Sequence, residues 1–231
     1  MFDISPTEWT AIQLSLRVAI SATLVATPFG IALAWLLARR NFWGKSVLDA
    51  LVHLPLVLPP VVTGYLLLLT FGKRGLVGGW LADHLGIVFA FRWTGAALAC
   101  GVMSFPLLVR PIRLSIEAVD RRLEQASSTL GAAPWQVFAT VTLPLALPGV
   151  LAGMVLGFAK AIGEFGATIT FVSNIPGETQ TISSAIYSLI QTPEGDSAAG
   201  RLVIISIVIA MSALIASEWF ARRATQRLHG N

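Results

Sequence analysis

The stretch LEQASSTLGAAPWQVFATVTLP, residues 123–144, determines how this chain is interpreted. It is polar in its first half, although long apolar segments lie on both sides of it. Gly131 is a typical helix end, and Pro134 suits the first turn of a following helix. The pattern therefore predicts two short helices at an angle, in a loop between two membrane spans. Such a loop indicates a docking surface for a partner.

The composition outside this loop is that of a membrane protein. Of the 231 residues, 55% are hydrophobic and only 12% are charged, and the mean hydropathy is +0.75. These values leave too little polar surface for a water-soluble globule. We therefore expect an integral membrane protein.

Apolar segments long enough to cross a bilayer recur along the chain. A spanning helix needs about 20 mostly apolar residues. Open sheet edges cannot be satisfied in lipid, so we expect the spans to be helical. The predicted spans are residues 12–37, 48–71, 87–109, 144–172 and 202–220. They predict an all-α polytopic bundle of about five transmembrane helices in one domain, residues 1–231.

Basic residues near the span ends predict the orientation. Cytoplasmic loops carry an excess of lysine and arginine, and one alternating set of loops holds most of these residues. That set contains Arg39, Arg40, Lys45, Arg110, Arg113, Arg121, Arg122, Arg222, Arg223 and Arg227. The N-terminus is therefore expected outside and the C-terminus in the cytoplasm. Positive inside loops also explain the net charge of +4, so no nucleic-acid partner is needed.

Prolines and small residues distinguish two of the spans. The second span contains HLPLVLPP at residues 53–60, and each proline removes a backbone donor and disturbs the preceding turn. In the fourth span, small residues recur every four positions, which lets another backbone approach closely. They are Gly149, Gly153, Gly157 and Ala161. This stripe predicts either tight packing within the bundle or a subunit interface.

Two charged side chains lie in the middle of the fourth span. A charge at this depth costs roughly 2.5 to 3.5 kcal/mol on insertion scales, so it should be paired. Lys160 and Glu164 are four residues apart, and they share one face of a helix. They are a candidate intramembrane ion pair. A structural role and a contact to the transported substrate both remain open.

The segment GEFGATITFVSN, residues 163–174, is unusually polar for a membrane span. Hydroxyls and exposed amides can solvate an oxyanion without trapping it, although such hydroxyls also bond to their own helix. Together with the proline-rich second span, this segment forms the candidate translocation path. Its members are Pro59, Pro60, Gly163, Glu164, Gly166, Thr168, Thr170 and Ser173.

Patterns for catalysis or metal binding do not emerge from the sequence. A glycine-lysine-serine run at residues 44–46 resembles the end of a phosphate-binding loop, but Arg39 stands where that loop needs its first glycine. The three histidines lack metal-ligand spacing, and no nucleophile has a recognisable base beside it. We expect no catalytic residue, no metal and no cofactor in this chain.

The opening stretch resembles the loop signature of inner-membrane permease subunits of ATP-binding-cassette (ABC) importers. That signature is Glu-Ala-Ala, three residues, glycine, nine residues, isoleucine, one residue and Leu-Pro. The matching residues here are Gln125, Ala126, Ser127, Gly131, Val141, Leu143 and Pro144. The spacing from Gly131 to the Leu-Pro pair is kept. Glutamate is replaced by Gln125, and Glu124 lies one place early.

This resemblance implies the MetI-like architecture of ABC importer permeases, with an ATPase-docking loop at about residues 110–143. It also implies a homodimer in the lipid of a bacterial inner membrane, with its N-terminus in the periplasm. Two cytoplasmic ATPase subunits would bind the ATP. A periplasmic binding protein would deliver the substrate.

Further strings narrow the resemblance to the permeases of molybdate importers. They include HLPLVLPPVVTGYLLL, RGLVGGW and SLIQTPEGDSAA, and they are distributed along the whole chain. The partner implied is then a periplasmic molybdate-binding protein. Sulfate, thiosulfate and tungstate permeases are the alternatives within the same class. A secondary transporter or a membrane scaffold without a pore are alternatives from other classes, and loss of uptake on depletion of a separate ATPase would distinguish the importer from both.

Overall fold

The structure is a computed structural model that describes the backbone of residues 4–229, the side chains of residues 4–216 and that of Trp219. Within this part the chain is helical and has no strand, which confirms the predicted all-α class. The helices are α1 (Pro6–Arg39), α2 (Lys45–Val57), α3 (Pro60–Phe71), α4 (Leu76–Leu85), α5 (Trp93–Ala118), α6 (Arg121–Thr129), α7 (Pro134–Val137), a π-helix (Phe138–Thr142), α8 (Leu143–Ile162), α9 (Gly166–Val172), α10 (Ile182–Leu189) and α11 (Asp196–His229).

Three of the predicted spans lie in single long helices. Residues 12–37 lie within α1, and residues 202–220 lie within α11. The third span is shifted, because α5 begins at Trp93 rather than at residue 87 and continues to Ala118. The side chains of Arg222, Arg223 and Arg227, which contributed to the predicted orientation, lie outside the described residues.

The predicted second span, residues 48–71, is present as a bent pair of helices, so the disturbance that its prolines predict is a full break. The helices α2 and α3 meet at Leu58 and Pro59 with a bend of 114°. Proline lacks a backbone donor and disfavours helical geometry in the residue before it. The two adjacent prolines therefore end one helix and begin the next. We call this the proline break.

The predicted bounds of the fourth span, residues 144–172, are wrong. Helix α8 ends at Ile162, and the separate short helix α9 begins at Gly166. At its other end the span is longer than predicted, because Pro134–Ile162 is continuous through the π-helix. Residues 163–165 therefore interrupt the span. We call this interruption the glutamate break, after Glu164.

The small-residue stripe of α8 packs inside the chain. Helix α5 is the most buried of the long helices, and α8 lies directly against it. A Cβ atom on Gly153 would lie 2.5 Å from the carbonyl oxygen of Leu108, and one on Gly149 would collide with Ser115. Of the two predicted uses of the stripe, the structure therefore shows tight packing within the bundle.

Candidate functional site

Helix α6 has a built-in end. The amide of Gly131 donates to the carbonyl of Ser128 at 3.0 Å, and that of Ala132 donates to Ser127 at 3.3 Å. This pair of bonds is the Schellman motif, which needs a left-handed residue after the helix. Gly131 supplies it with a φ of +88°. The helix end predicted at Gly131 and the helix start predicted at Pro134 are thus both present.

The loop between α5 and α8 presents apolar side chains to solvent. Leu123, Leu130 and Trp135 are 50%, 89% and 70% exposed. Gln125 and Ala126 lie between them on α6 and are also exposed. Exposed large apolar groups at the end of a membrane bundle are typical of a protein-binding surface. We call the set of these five residues the loop surface.

Glu124 points away from the loop surface, into the bundle. Its Oε1 accepts from the hydroxyl of Thr142 at 2.6 Å and from Arg39 Nε at 3.2 Å, and it forms an ion pair with Arg39 Nη2 at 3.0 Å. The Arg39 guanidinium also donates to the carbonyl of Val119 at 3.0 Å. The carboxylate that lies one place early in the loop signature is therefore occupied by partners within the chain.

The glutamate break is held by one carboxylate. Lys160 Nζ lies 2.8 Å from Glu164 Oε2, and the amide of Ala167 donates to Glu164 Oε1 at 3.0 Å. The side chain of Glu164 is 1% exposed, whereas that of Lys160 is 31% exposed. Glu164 thus pairs with the end of α8 and caps the start of α9, where negative charge is favourable.

Hydroxyl groups satisfy backbone carbonyls around the same break. Ser183 donates to the carbonyl of Ile162 at 3.2 Å, and Thr168 donates to that of Phe165 at 2.9 Å. The carbonyl of Ile162 lies at the end of α8 and lacks the partner that an unbroken span would supply, whereas that of Phe165 also accepts from the amide of Ile169 at 2.9 Å. The interruption therefore persists without an unsatisfied backbone group at these two carbonyls, and a loosened backbone stays possible inside the membrane.

The two breaks lie against each other. A Cβ atom on Gly64 of α3 would be 2.5 Å from the carbonyl oxygen of Ala167, and one on Gly166 would be 2.7 Å from Pro60 Cβ. Helices α3 and α9 therefore pack almost backbone to backbone. The structure brings together the two segments from which the sequence predicts a translocation path.

The predicted path residues differ in accessibility. Pro59, Pro60, Gly163 and Ser173 are exposed, Gly166 and Thr170 are half-buried, and Glu164 and Thr168 are buried. The hydroxyls of Thr168 and Thr170 donate to carbonyls of their own segment, which is the alternative role considered for them. Their place in the path stays a prediction.

Two ion pairs were not predicted from the sequence: that of Arg39 with Glu124 and that of Glu8 with Arg201, at 2.9 Å. The π-helix was not predicted either. Each partner of these pairs is an ordinary charged residue near a helix end. The sequence signal is only that Glu8 and Arg39 stand at helix ends where a partner is required. Among the described residues, no group of His, Cys, Asp or Glu is arranged to hold a metal ion.

Interrupted helices packed across a bundle, with a capped loop at one end, define a polytopic membrane permease. Residues 26–226 match the family of binding-protein-dependent transport system inner membrane components, and the chain belongs to that family. It is thus a multi-pass protein of the inner membrane.

The chain is similar to curated permeases along almost its whole length. It is 62% identical over 220 residues to the molybdenum transport system permease protein ModB of Escherichia coli (strain K12), covering 95% of this chain and 96% of the relative. It is 56% identical over 221 residues to ModB of Haemophilus influenzae, with 96% of each covered.

A solved structure shows the same fold at much lower sequence identity. It is a bacterial alginate ABC transporter in complex with an alginate pentasaccharide-bound periplasmic protein. The likeness has a TM-score of 0.75 at 20% identity and covers 96% of this chain and 81% of the other. This match confirms the predicted fold of an ABC importer permease.

Proposed function

We propose that this chain is the membrane-spanning permease subunit of an ABC importer that carries molybdate into the cell. Two copies would form the pore, two ATPase subunits would bind the cytoplasmic loops, and a periplasmic binding protein would deliver the anion. The observation that supports the substrate most directly is the full-length 62% identity to a molybdenum transport permease.

The loop surface supports an ATPase partner on the side of the bundle where arginines gather. Arg39 contacts the α5–α6 corner, and Arg113 pairs with Asp49 at 2.9 Å near the start of α2. These basic residues lie in different helices, Arg39 at the end of α1 and Arg113 in the last turns of α5, and both are near the end of the bundle that carries α6. By the positive-inside rule this end would face the cytoplasm.

The glutamate break supports a path for a doubly charged anion. Pairing of Lys160 with Glu164 leaves the site close to neutral, so no ring of fixed cations would trap the anion. Hydroxyl and amide groups near Gly163 and Ser173 would solvate it transiently. Opening and closing of the ATPases would then bias the bundle between outward and inward states.

Reconstitution tests the proposal. The chain would be purified with its ATPase, placed in proteoliposomes and supplied with the binding protein and ATP. We expect ATP-dependent accumulation of labelled molybdate, with tungstate and sulfate tested as competitors. Transport of sulfate but not molybdate would assign the alternative oxyanion. Uptake driven by a proton gradient without the ATPase would identify a secondary transporter, and no uptake at all would favour a scaffold.

Single-cysteine scanning tests the path itself. In a Cys100→Ala background, cysteines at Gly163, Ser173 and Thr170 would be exposed to a small charged thiol reagent. We expect reactivity that changes when ATP and the loaded binding protein are added. The buried Thr168 position is a matched comparison on the same helix, expected to react slowly in the resting state. Uniform inertness would move the path elsewhere.

A further inference from the structure

We infer that Glu124 is a positioning residue that locks the loop helix α6 to the membrane helices, and that it does not serve as a contact to the ATPase. The inference rests on the proposed function, because it assigns a role within the same transport cycle. It departs from what the loop signature implies, where a glutamate in this region belongs to the docking segment. The observations that carry it are the contacts and burial of one carboxylate.

A single oxygen of Glu124 receives two hydrogen bonds and takes part in an ion pair. Arg39 Nε and Nη2 lie 3.2 Å and 3.0 Å from Oε1, and the Thr142 hydroxyl lies 2.6 Å from the same atom. Charge-assisted bonds of this length are among the stronger ones in proteins. The side chains of Glu124 and Arg39 are only 18% and 9% exposed, and Thr142 is 1% exposed. Screening by water, which makes surface ion pairs weak, is therefore limited.

The two partners, Arg39 and Thr142, belong to different parts of the bundle. Arg39 is the last residue of α1, and it also holds the carbonyl of Val119 at the end of α5. Thr142 closes the π-helix and stands directly before α8. Through Glu124, α6 is thus connected to α1, to the α5–α6 corner and to the base of α8. A displacement of α6 would be passed to all three.

The loop surface and Glu124 lie on opposite sides of α6. Leu123 and Leu130 are exposed and available to a partner, whereas Glu124 lines a cleft of about 510 Å³ between α6 and the end of α1, with Gln125 at the edge of that cleft. A partner would bind the exposed side of α6, while Glu124 connects the opposite side to α1 and α8. Movement imposed by the ATPase would therefore reach α8, which leads to the glutamate break.

The test uses the permease assembled with its ATPase in proteoliposomes. Glu124→Gln keeps the shape of the side chain but removes its charge. We expect the complex to assemble and to hydrolyse ATP, while the substrate moved per ATP falls about tenfold, the factor that corresponds to one charge-assisted hydrogen bond. Thr142→Val and Arg39→Lys each weaken one of the two contacts to Glu124, and each should lower the substrate moved per ATP by a smaller factor. Glu117→Gln, a neutralised carboxylate on the exposed side of α5, is the matched control.

A second measurement does not depend on the substrate. Spin labels at Phe42→Cys and Thr129→Cys, in a Cys100→Ala background, report the distance between the end of α1 and α6. In the otherwise native complex we expect this distance to stay constant when ATP binds, and in Glu124→Gln we expect it to change. If Glu124→Gln fails to fold, the same comparison is made with Thr142→Val.

Two results would overturn the inference. One is loss of ATPase binding in Glu124→Gln with an unchanged label distance, which would make Glu124 a docking residue after all. The other is a normal ratio of substrate moved to ATP hydrolysed in all three variants, Glu124→Gln, Thr142→Val and Arg39→Lys. If the native complex moves no molybdate, the proposed substrate is wrong, but the label distances still decide the role of Glu124.

Discussion

The proline break and the glutamate break pack against each other, yet they interrupt their helices by different means. The proline break is imposed by covalent structure, because Pro59 and Pro60 cannot continue the hydrogen-bonding pattern of α2. The glutamate break contains no proline. It depends on Glu164, which pairs with Lys160 and caps α9 through the amide of Ala167.

This difference separates a fixed bend from an adjustable one. A proline keeps its geometry whatever its surroundings, whereas a carboxylate holds two helix ends only while its partners stay in place. If one of the two breaks changes during transport, we expect it to be the glutamate break. The following predictions test this contrast, from the largest expected effect to the smallest.

Loss of the cation at the glutamate break should have the largest effect. Lys160→Met leaves the Glu164 carboxylate, 1% exposed, without its charged partner. We expect the free energy of unfolding to fall by about 3 kcal/mol, the low end for a broken buried pair because Lys160 is partly exposed. Reactivity of Cys100, the single and buried cysteine, measures unfolding in detergent.

The matched variants are Glu164→Gln and the double substitution Lys160→Met with Glu164→Gln. The double variant should be more stable than Lys160→Met alone, because it leaves no buried charge unpaired. Losses that simply add would show that the two side chains act independently, and the glutamate break would then not be held by an ion pair.

Separation of the two breaks should have the next largest effect. In Gly64→Ala the added Cβ would lie 2.5 Å from the carbonyl oxygen of Ala167, and backbone cannot move aside cheaply. We expect a loss of about 2 kcal/mol and reduced uptake. Gly101→Ala on α5 is the control, since its nearest neighbour would be 3.8 Å away. Equal behaviour of both variants would mean that the contact between the breaks is loose.

The helix end at Gly131 lies in the loop, outside the spans, and offers a comparison with the two breaks. Gly131 has a φ of +88° and open space around its Cβ position, so its replacement costs only backbone strain. Gly131→Val should cost about 1 to 2 kcal/mol, leave insertion intact and reduce coupled uptake. Gly131→Asn should retain more activity, because asparagine tolerates the left-handed conformation. Normal uptake and ATP hydrolysis in Gly131→Val would contradict a coupling role for this turn.

Removal of one proline should have the smallest effect. Pro59→Ala restores one donor, but Pro60 still begins α3 and the contact with α9 remains. We expect a change in stability within about 1 kcal/mol and uptake near that of the native chain. A large loss in this variant, measured in the same thiol assay, would show that the bend depends on Pro59 alone and that the covalent break is as fragile as the other.

Much of the fold could be predicted because its signals are local. Gly131 and Pro134 mark adjacent helix ends within four residues, and three of the spans follow from apolar length alone. The proline break is visible in HLPLVLPP, because each proline there predicts a disturbed turn, whereas hydropathy averages across the bend and does not show its angle. Features that depend only on neighbouring residues can be predicted from the sequence.

The glutamate break and the contacts of Glu124 with Arg39 and Thr142 could not be located in this way. The end of α8 is set when Ser183, on another helix, covers the carbonyl of Ile162, and no local pattern announces that contact. Arg39 and Glu124 are separated by 85 positions. A charged residue near a membrane interface has many ordinary uses, so its partner is known only once the helices are assembled.

The π-helix has a consequence for how this bundle can evolve. It winds Phe138–Thr142 with one residue more than an α-helix of the same rise needs. Because one wide turn takes up the extra residue, a deletion of one residue there would return the segment to an α-helix and leave Trp135 close to its present direction relative to the small-residue stripe of α8. A deletion in the α-helical part of α8 would instead rotate everything before it by about 100°. The π-helix is therefore the place where this span can lose a residue while the loop keeps its direction toward the ATPase.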